Sequence, residues 1–220
     1  MDFHNFHLSI YQTPVAMEYS DAFELVYEFW KKTWRDVFQE IGKPSEIRSD
    51  DLTRQHEILV LYHGERPIAM VCHRYVNLGL RSTLEDSYFS SAWTKEDCER
   101  VRAIGGFGVI GSQILVDPEY RKSHSQIPTK QLISLLSLEQ VQRAKPDLVI
   151  GTMRVDKGMN KLFYEAGATS LAKKIPYYGA EVDLVCFFPK INPIKINPEF
   201  KDTISSLLNT AKIVKQRSAA

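Results

Sequence analysis

The hydrophobic period of this chain changes several times, and the order of those changes restricts the fold more than any other feature. A short apolar run from Phe6 to Gln12 precedes a helical stripe, and two strand-like runs then flank a turn at residues 63–66. From Val109 onward, strand-like and helix-like segments alternate. Antiparallel neighbours followed by strand–helix alternation predict a mixed α/β fold.

The bounds of the elements follow from the period and from Gly and Pro breaks. The expected strands are residues 6–12, 56–62, 67–76, 109–116, 147–153, 170–175 and 181–188. The expected helices are residues 20–41, 94–102, 129–143 and 157–166, with a final amphipathic helix from Phe200 to Val214. The polar stretch 81–102 interrupts this series, and we interpret it as an insertion that covers one side of the domain.

The sequence contains no internal repeat and no low-complexity linker, so we expect one domain over residues 1–190. Residues 191–220 form a connector, marked by Asn192-Pro193 and Asn197-Pro198, and the C-terminal amphipathic helix. The apolar stripe of that helix either packs back on the domain or meets a second copy in a homodimer.

Charge and cysteine usage exclude several classes of protein. The net charge of the 220 residues is +1, which gives no general attraction to nucleic acid or to an anionic membrane. No apolar run reaches the roughly 18 residues that a membrane span needs. Three scattered cysteines form no disulfide framework, and the N-terminus lacks the build of a secretory signal, so we expect a cytoplasmic protein. We expect no metal site, because His4 and His7 have no clustered partners.

One segment has the features of a phosphate site. A strand that ends in Val116-Asp117-Pro118 leads through a polar loop into a helix at Thr129. Helix N-termini offer free amides and a positive dipole end, and Arg121 and Lys122 add charge. An ordinary solvated loop is the alternative.

Two motifs resemble a known family. Residues 113–121, Gln-Ile-Leu-Val-Asp-Pro-Glu-Tyr-Arg, resemble the opening of motif A of GCN5-related N-acetyltransferases (GNATs), and residues 160–168 resemble the second GNAT motif. The resemblance is strongest over residues 109–168. It implies a central mixed, mostly antiparallel sheet with flanking helices and a splayed fourth and fifth strand pair.

The resemblance also implies an activity, the transfer of an acyl group from acetyl-CoA or another acyl-CoA to a small-molecule or peptide amine. In the family the fourth strand hydrogen-bonds the pantetheine arm, and loop amides hold the pyrophosphate. The implied pantetheine residues are Ile114, Leu115 and Val116. The implied phosphate residues are Arg121, Lys122, His124, Ser125, Gln126, Ile127 and Thr129.

The loop between Arg121 and Thr129 departs from the family because it contains no glycine. Long-chain N-acyl amino acid synthases and acyl-homoserine-lactone synthases are GNAT relatives that share this departure and take acyl chains from acyl carrier protein. An acyl carrier protein donor is therefore the alternative, with the insertion at residues 81–102 over a longer acyl tail. A catalytically silent acyl-CoA-binding module is a third interpretation.

Three residues are candidates for proton transfer. Tyr164 is the candidate acid for the leaving thiolate, although Phe163 occupies the position where the family usually has its Tyr. A shift of one residue turns a helical side chain by about 100°. His73 and Glu57, on the two hairpin strands, are candidate bases. The alternatives are a partly buried helix Tyr and polar residues on the sheet face.

Overall fold

The computed structural model describes residues 5–42, 47–104, 106–121 and 128–215. The strands are β1 (Phe6–Gln12), β2 (Glu57–His63), β3 (Arg66–Asn77), β4 (Phe107–Val116), β5 (Leu148–Arg154), β6 (Thr169–Tyr177), β7 (Ala180–Phe187) and β8 (Lys212–Val214). The helices are α1 (Ser20–Glu40), α2 (Asp50–Thr53), α3 (Arg81–Leu84), α4 (Ser87–Ala92), α5 (Lys95–Ile104), α6 (Thr129–Arg143), α7 (Met159–Glu165) and α8 (Pro198–Asn209), with 3-10 turns at Met17–Tyr19 and Pro118–Tyr120. No helix in these described ranges is long and apolar enough to cross a bilayer.

The strands form one sheet in the order β6-β7-β5-β4-β3-β2-β1-β8. The pairs β1–β2, β2–β3, β5–β7 and β6–β7 are antiparallel, whereas β1–β8 and β4–β5 are parallel. The predicted mixed, mostly antiparallel sheet with flanking helices is therefore confirmed.

Strands β4 and β5 pair over only part of their length. Their parallel register runs from Gly108 opposite Leu148 to Gly111 opposite Gly151. Strand β4 nevertheless continues to Val116, and β5 continues to Arg154. In the described residues the two strands therefore part after Gly111, as the predicted splayed pair requires.

The chain divides into two compact units. The first contains residues up to Arg74, Ser112–Leu138 and the segment from Asn197. Its core is a cluster in which α1 contributes Val26 and Trp30 and the hairpin strands contribute Ile58, Val60, Met70 and Cys72. The aromatic stripe of α1 therefore lies where its helical spacing predicted, against a sheet.

The second unit comprises Tyr75–Gly111 and Glu139–Ile196. Three residues of the predicted insertion, Phe89, Trp93 and Val101, share a buried cluster with residues of β4, β5 and β7. The strand residues of that cluster are Ile110, Leu148, Ile150, Leu184 and Cys186. The insertion thus covers the sheet of this unit, as expected from its position in the sequence.

Short elements account for the differences from the predicted bounds. Helices α2, α3 and α4 span four to six residues each, too few to show a helical period. The final helix ends at Asn209, so Val214 lies not on that helix but in β8, which pairs in parallel with β1. A three-residue strand is stabilised by pairing with a strand that is distant in sequence, so no local sequence pattern predicts it.

Helix α8 packs back on its own chain. Ile204, Leu207 and Leu208 on its apolar face are buried at 1%, 7% and 5% exposure within the single chain. Of the two alternatives for this helix, the structure has the first, and the stripe is covered without a second copy.

Ile204→Ala should therefore destabilise the isolated chain by about 3 kcal/mol, the usual cost of truncating a fully buried aliphatic side chain. The matched control is Ile213→Ala, because Ile213 is 43% exposed and should change stability much less. Urea denaturation of both variants measures the difference. Equal, small effects would contradict the packing of α8.

Candidate active site

The middle of β4 is less buried than the residues on either side of it. Residues 108–110 and 115–116 are buried, whereas Gly111 to Ile114 are only half-buried. The half-buried stretch begins at the rung where the pairing with β5 stops. An interior strand normally has both faces and both edges occupied, so the partial exposure of this stretch is unusual for its position in the sheet.

Gln113 has an unusual backbone at the centre of this stretch. Its φ is 57°, in the left-handed region that non-glycine residues seldom enter, at a cost on the order of 1 kcal/mol. Within a strand, a left-handed residue is typical of a bulge, which interrupts the ladder and redirects the neighbouring groups. Ile114, one of the predicted pantetheine residues, directly follows it.

The side chain of Gln113 is held by two tryptophans of α1. Its amide oxygen accepts hydrogen bonds from Trp30 Nε1 at 2.9 Å and from Trp34 Nε1 at 2.5 Å. A carbonyl oxygen has two lone pairs, and these two donors match them. Because the tryptophans lie four residues apart, one helix face presents both indoles.

The chain just after β4 is anchored to the β2–β3 hairpin. Arg66 forms 2.7 Å ion pairs with Asp117 and Glu119, and the Asp117 amide donates to the Ile68 carbonyl at 2.8 Å. The two carboxylates raise the pKa of the Arg66 guanidinium. Asp117 also caps the 3-10 turn by accepting from the Glu119 amide. The acidic residues of motif A are therefore occupied in holding the backbone.

The predicted donor-binding residues are only partly described. Leu115 and Val116 are buried in β4, and Thr129 is the buried first residue of α6. Arg121 is exposed, and its Nε donates to the Val116 carbonyl at 3.1 Å. Lys122, His124, Ser125, Gln126 and Ile127 lie outside the described residues.

His73 and Glu57, the predicted bases, are in direct contact. The Nδ1 of His73 lies 3.0 Å from Glu57 Oε1, and its Nε2 lies 2.7 Å from the hydroxyl oxygen of Ser137 on α6. With Glu57 ionised, Nδ1–H donates to the carboxylate, and a neutral Nε2 accepts from the serine. The network ties α6 to the hairpin.

The side chains of this network are almost completely buried. His73 is 0% exposed, and Glu57 and Ser137 are each 4% exposed. A general base must reach the proton that it removes. We expected both side chains to face a cleft, but in this structure they are buried against the helix, and their geometry favours a structural role.

Tyr164 belongs to the second unit, where it bonds a buried carboxylate. Its hydroxyl donates to Asp183 Oδ2 at 2.7 Å, and Asn160 Nδ2 donates to the same oxygen at 2.8 Å. The backbone amide of Lys174, itself at φ 54°, donates to the other carboxylate oxygen at 2.9 Å. Burial of Asp183 acts to raise its pKa, but these hydrogen bonds outweigh it and lower the pKa.

The phenol of Tyr164 is held in its protonated form. Burial, together with the hydrogen bond to Asp183, raises the pKa of Tyr164. Tyr164 also lines a surface groove of about 670 Å³ with residues 168–173, and Lys173 Nζ lies 5.5 Å from its ring centroid. Phe163, in the position that the family usually gives to Tyr, is buried against Phe187.

Within the described residues, neither metal nor cysteine chemistry has a recognisable site. The described ranges contain no group of three or more His, Cys, Asp or Glu side chains that could hold a metal ion. The three cysteines are free, and burial raises the pKa of the Cys72, Cys98 and Cys186 thiols. Thiols with raised pKa values are poor nucleophiles.

Comparison with known proteins identifies the architecture. No family model and no curated protein sequence matches the chain. Among solved structures, the CoA-dependent acyl-homoserine lactone synthase BjaI, with SAM and isopentyl-CoA, matches 97% of this chain and 95% of its own at a TM-score of 0.55 and 15% identity. FeeM, an N-acyl amino acid synthase from uncultured soil microbes, matches 83% of this chain and 89% of its own at 0.57 and 13%. The acyl-homoserine lactone synthase LasI matches 96% and 98% at 0.54 and 11%.

These proteins share one architecture. This chain has the GNAT fold. The resemblance noted in residues 113–121 and 160–168 is therefore matched by the strand order and by the splay of β4 from β5.

Several residues of this GNAT-fold site escaped the sequence analysis. Trp30 and Trp34 were assigned no site role from the sequence, and Gln113 was treated as the start of a motif rather than as a hydrogen-bond acceptor. A signal was present, because Gly111-Ser112-Gln113 interrupts an otherwise apolar strand. Ser137 and Asp183 had no such signal, since their partners are distant in sequence.

Removal of His73 should destabilise this GNAT fold strongly. His73→Ala removes one hydrogen-bond partner of the buried Glu57 carboxylate and leaves a cavity in the core, and the expected loss is about 3 kcal/mol. Ser137→Ala removes one neutral hydrogen bond and should cost about 1 kcal/mol.

His56→Ala is the matched control, because His56 is exposed at the start of the same hairpin. Denaturant titration of the three variants gives the order. A His73→Ala protein as stable as His56→Ala would contradict the structural role of the network.

Proposed function

We propose that this chain is an acyltransferase that moves an acyl group from acyl-CoA to the amine of a small molecule or peptide. One observation carries the proposal: an interior strand, β4, leaves its partner after Gly111 and presents the half-buried, left-handed Gln113 just before Ile114. Backbone amides on such a stretch have room to meet a ligand.

The chemistry that this strand supports is direct attack on a thioester. The amine attacks the thioester carbonyl carbon, and the carbonyl oxygen becomes an oxyanion that a backbone amide of β4 stabilises. The carbon–sulfur bond then breaks, the attacking nitrogen gives up a proton to water as the amide product forms, and the thiolate takes a proton. The protonated Tyr164 or a water molecule supplies that proton.

The donor would lie along Ile114, Leu115 and Val116 and place its phosphates near Arg121 and the start of α6 at Thr129. Arg121 is exposed, and its remaining guanidinium donors are suited to a phosphate. The structure of BjaI with isopentyl-CoA supports an acyl-CoA donor for a chain of this fold.

A long-chain N-acyltransferase that uses acyl carrier protein is the second candidate. It is favoured by the glycine-free loop after Arg121 and by the N-acyl amino acid synthase among the neighbours. In this version the insertion helices α3, α4 and α5 would cover the acyl tail. A catalytically silent acyl-CoA-binding module differs from both enzymes in showing no turnover.

Donor binding is tested first by thermal shift with coenzyme A, acetyl-CoA and palmitoyl-CoA. A ligand that binds only the folded chain stabilises it by about 2.7 kcal/mol at a hundredfold excess over Kd. We expect an upward shift of the melting temperature that Arg121→Ala removes. The chain length with the largest shift separates short-chain from long-chain donors.

Arg48→Ala is the matched control, because Arg48 is exposed just before α2, outside the proposed donor site. It should shift like the wild type. If none of the three compounds shifts the wild type, the acyl-CoA donor is refuted and acylated carrier protein becomes the next donor to test.

Turnover tests the role of Tyr164. With a panel of amino acids as acceptors and mass spectrometry of the products, Tyr164→Phe should lower kcat by about 100-fold if its hydroxyl protonates the thiolate. Tyr178→Phe, at a tyrosine that is 55% exposed, is the control. Unchanged kcat in Tyr164→Phe would assign the proton to water, and no product from the wild type with any donor would favour the silent module.

A further inference from the structure

We propose that Trp30 and Trp34 are positioning residues that hold the oxyanion-stabilising amide of β4 in place through the side chain of Gln113. The inference rests on the proposed acyl transfer and names the part of the chain that prepares β4 for it. None of the three side chains needs to touch the substrate.

Gln113 has an unfavourable backbone conformation. At φ 57° this residue adopts a conformation that its own steric preference opposes. A non-glycine residue keeps such a conformation only where its surroundings determine it, and such residues occur at functional sites. Since β5 has already left β4 at Gly111, sheet pairing with β5 does not supply that support.

Two indoles of α1 hold the side chain of Gln113. Both lone pairs of the Gln113 amide oxygen face indole N–H groups, at 2.9 Å from Trp30 and 2.5 Å from Trp34. Trp30 is 1% exposed within the core cluster of the first unit, and Trp34 packs against the same cluster. The side chain of Gln113 is therefore held to α1 by two hydrogen bonds, which restricts the positions that its backbone can take.

The position of Gln113 affects the proposed reaction through the neighbouring backbone amides. A bulge in a strand redirects the groups beside it, so the direction of the amides at Gln113 and Ile114 depends on the left-handed backbone. Oxyanion stabilisation requires a donor that is aimed before the charge develops. A loose Gln113 would leave the donor site intact but would let this amide move away from the carbonyl.

The test observes the carbonyl itself. Hexanoyl-CoA labelled with ¹³C at its carbonyl is bound to the full chain, and the infrared difference spectrum is recorded. A hydrogen bond to the carbonyl lowers its stretching frequency, so the wild-type band should lie below the band of the same thioester carbonyl in an aprotic solvent. Gln113→Gly, which permits the left-handed backbone but removes the acceptor, and Trp34→Phe should both move the band up while hexanoyl-CoA still binds.

The same variants should lower kcat by about tenfold or more with little change in KM, because displacement of the reacting groups slows chemistry rather than binding. Tyr27→Phe is the matched control, because Tyr27 lies on α1 with its ring centroid 5.8 Å from that of Trp30, whereas the hydrogen bonds to Gln113 come from Trp30 and Trp34. It should keep the wild-type band and kcat.

The outcomes separate the two proposals. If both variants bind hexanoyl-CoA with the wild-type band and kcat, the positioning role is overturned and the acyltransferase stands. If the wild-type band lies at its position in an aprotic solvent, no amide polarises the carbonyl and the positioning role is overturned. If the wild type does not bind hexanoyl-CoA, the acyl-CoA donor fails, and the positioning role proposed for that donor fails with it.

Discussion

Strand β4 must keep its backbone conformation where it no longer pairs with β5. Its pairing with β5 ends at Gly111, yet the strand continues to Val116, and buried peptide groups need partners wherever a strand runs. The first unit supplies the missing support from side chains. The indoles of α1 hold Gln113, and Arg66 holds the chain just beyond the strand through Asp117 and Glu119.

Buried carboxylates follow the same physical rule in both units. Glu57 is satisfied by His73, which Ser137 satisfies in turn, and Asp183 accepts from Asn160, Tyr164 and the Lys174 amide. A buried charge is tolerated only when hydrogen bonds replace its lost water. Such networks allow little movement, and the backbone of an active site needs that rigidity if its donors are to be aimed in advance.

Long, periodic segments were predictable because their pattern is local. The predicted helix at residues 129–143 coincides with α6, and the first strand coincides with β1. Helices α2 to α4 and strand β8 were not predicted, because they are too short to show a period and depend on contacts distant in sequence. His73 and Glu57 were expected to face a cleft, but both are buried. The alternation of side chains along a strand predicts on which face of the sheet a residue lies, but not which element covers that face.

The sequence by itself determined the mixed α/β class, the order of the longer elements and, through the motifs at residues 113–121 and 160–168, the GNAT fold. Only the tertiary structure decided that Gln113 is left-handed under two tryptophans, that His73 is buried beneath Ser137, and that Tyr164 donates to Asp183. The physical reason is the range of the interactions. Hydrophobic period and turn chemistry act over a few residues, whereas each of these hydrogen bonds joins residues that the sequence separates by 19 or more positions.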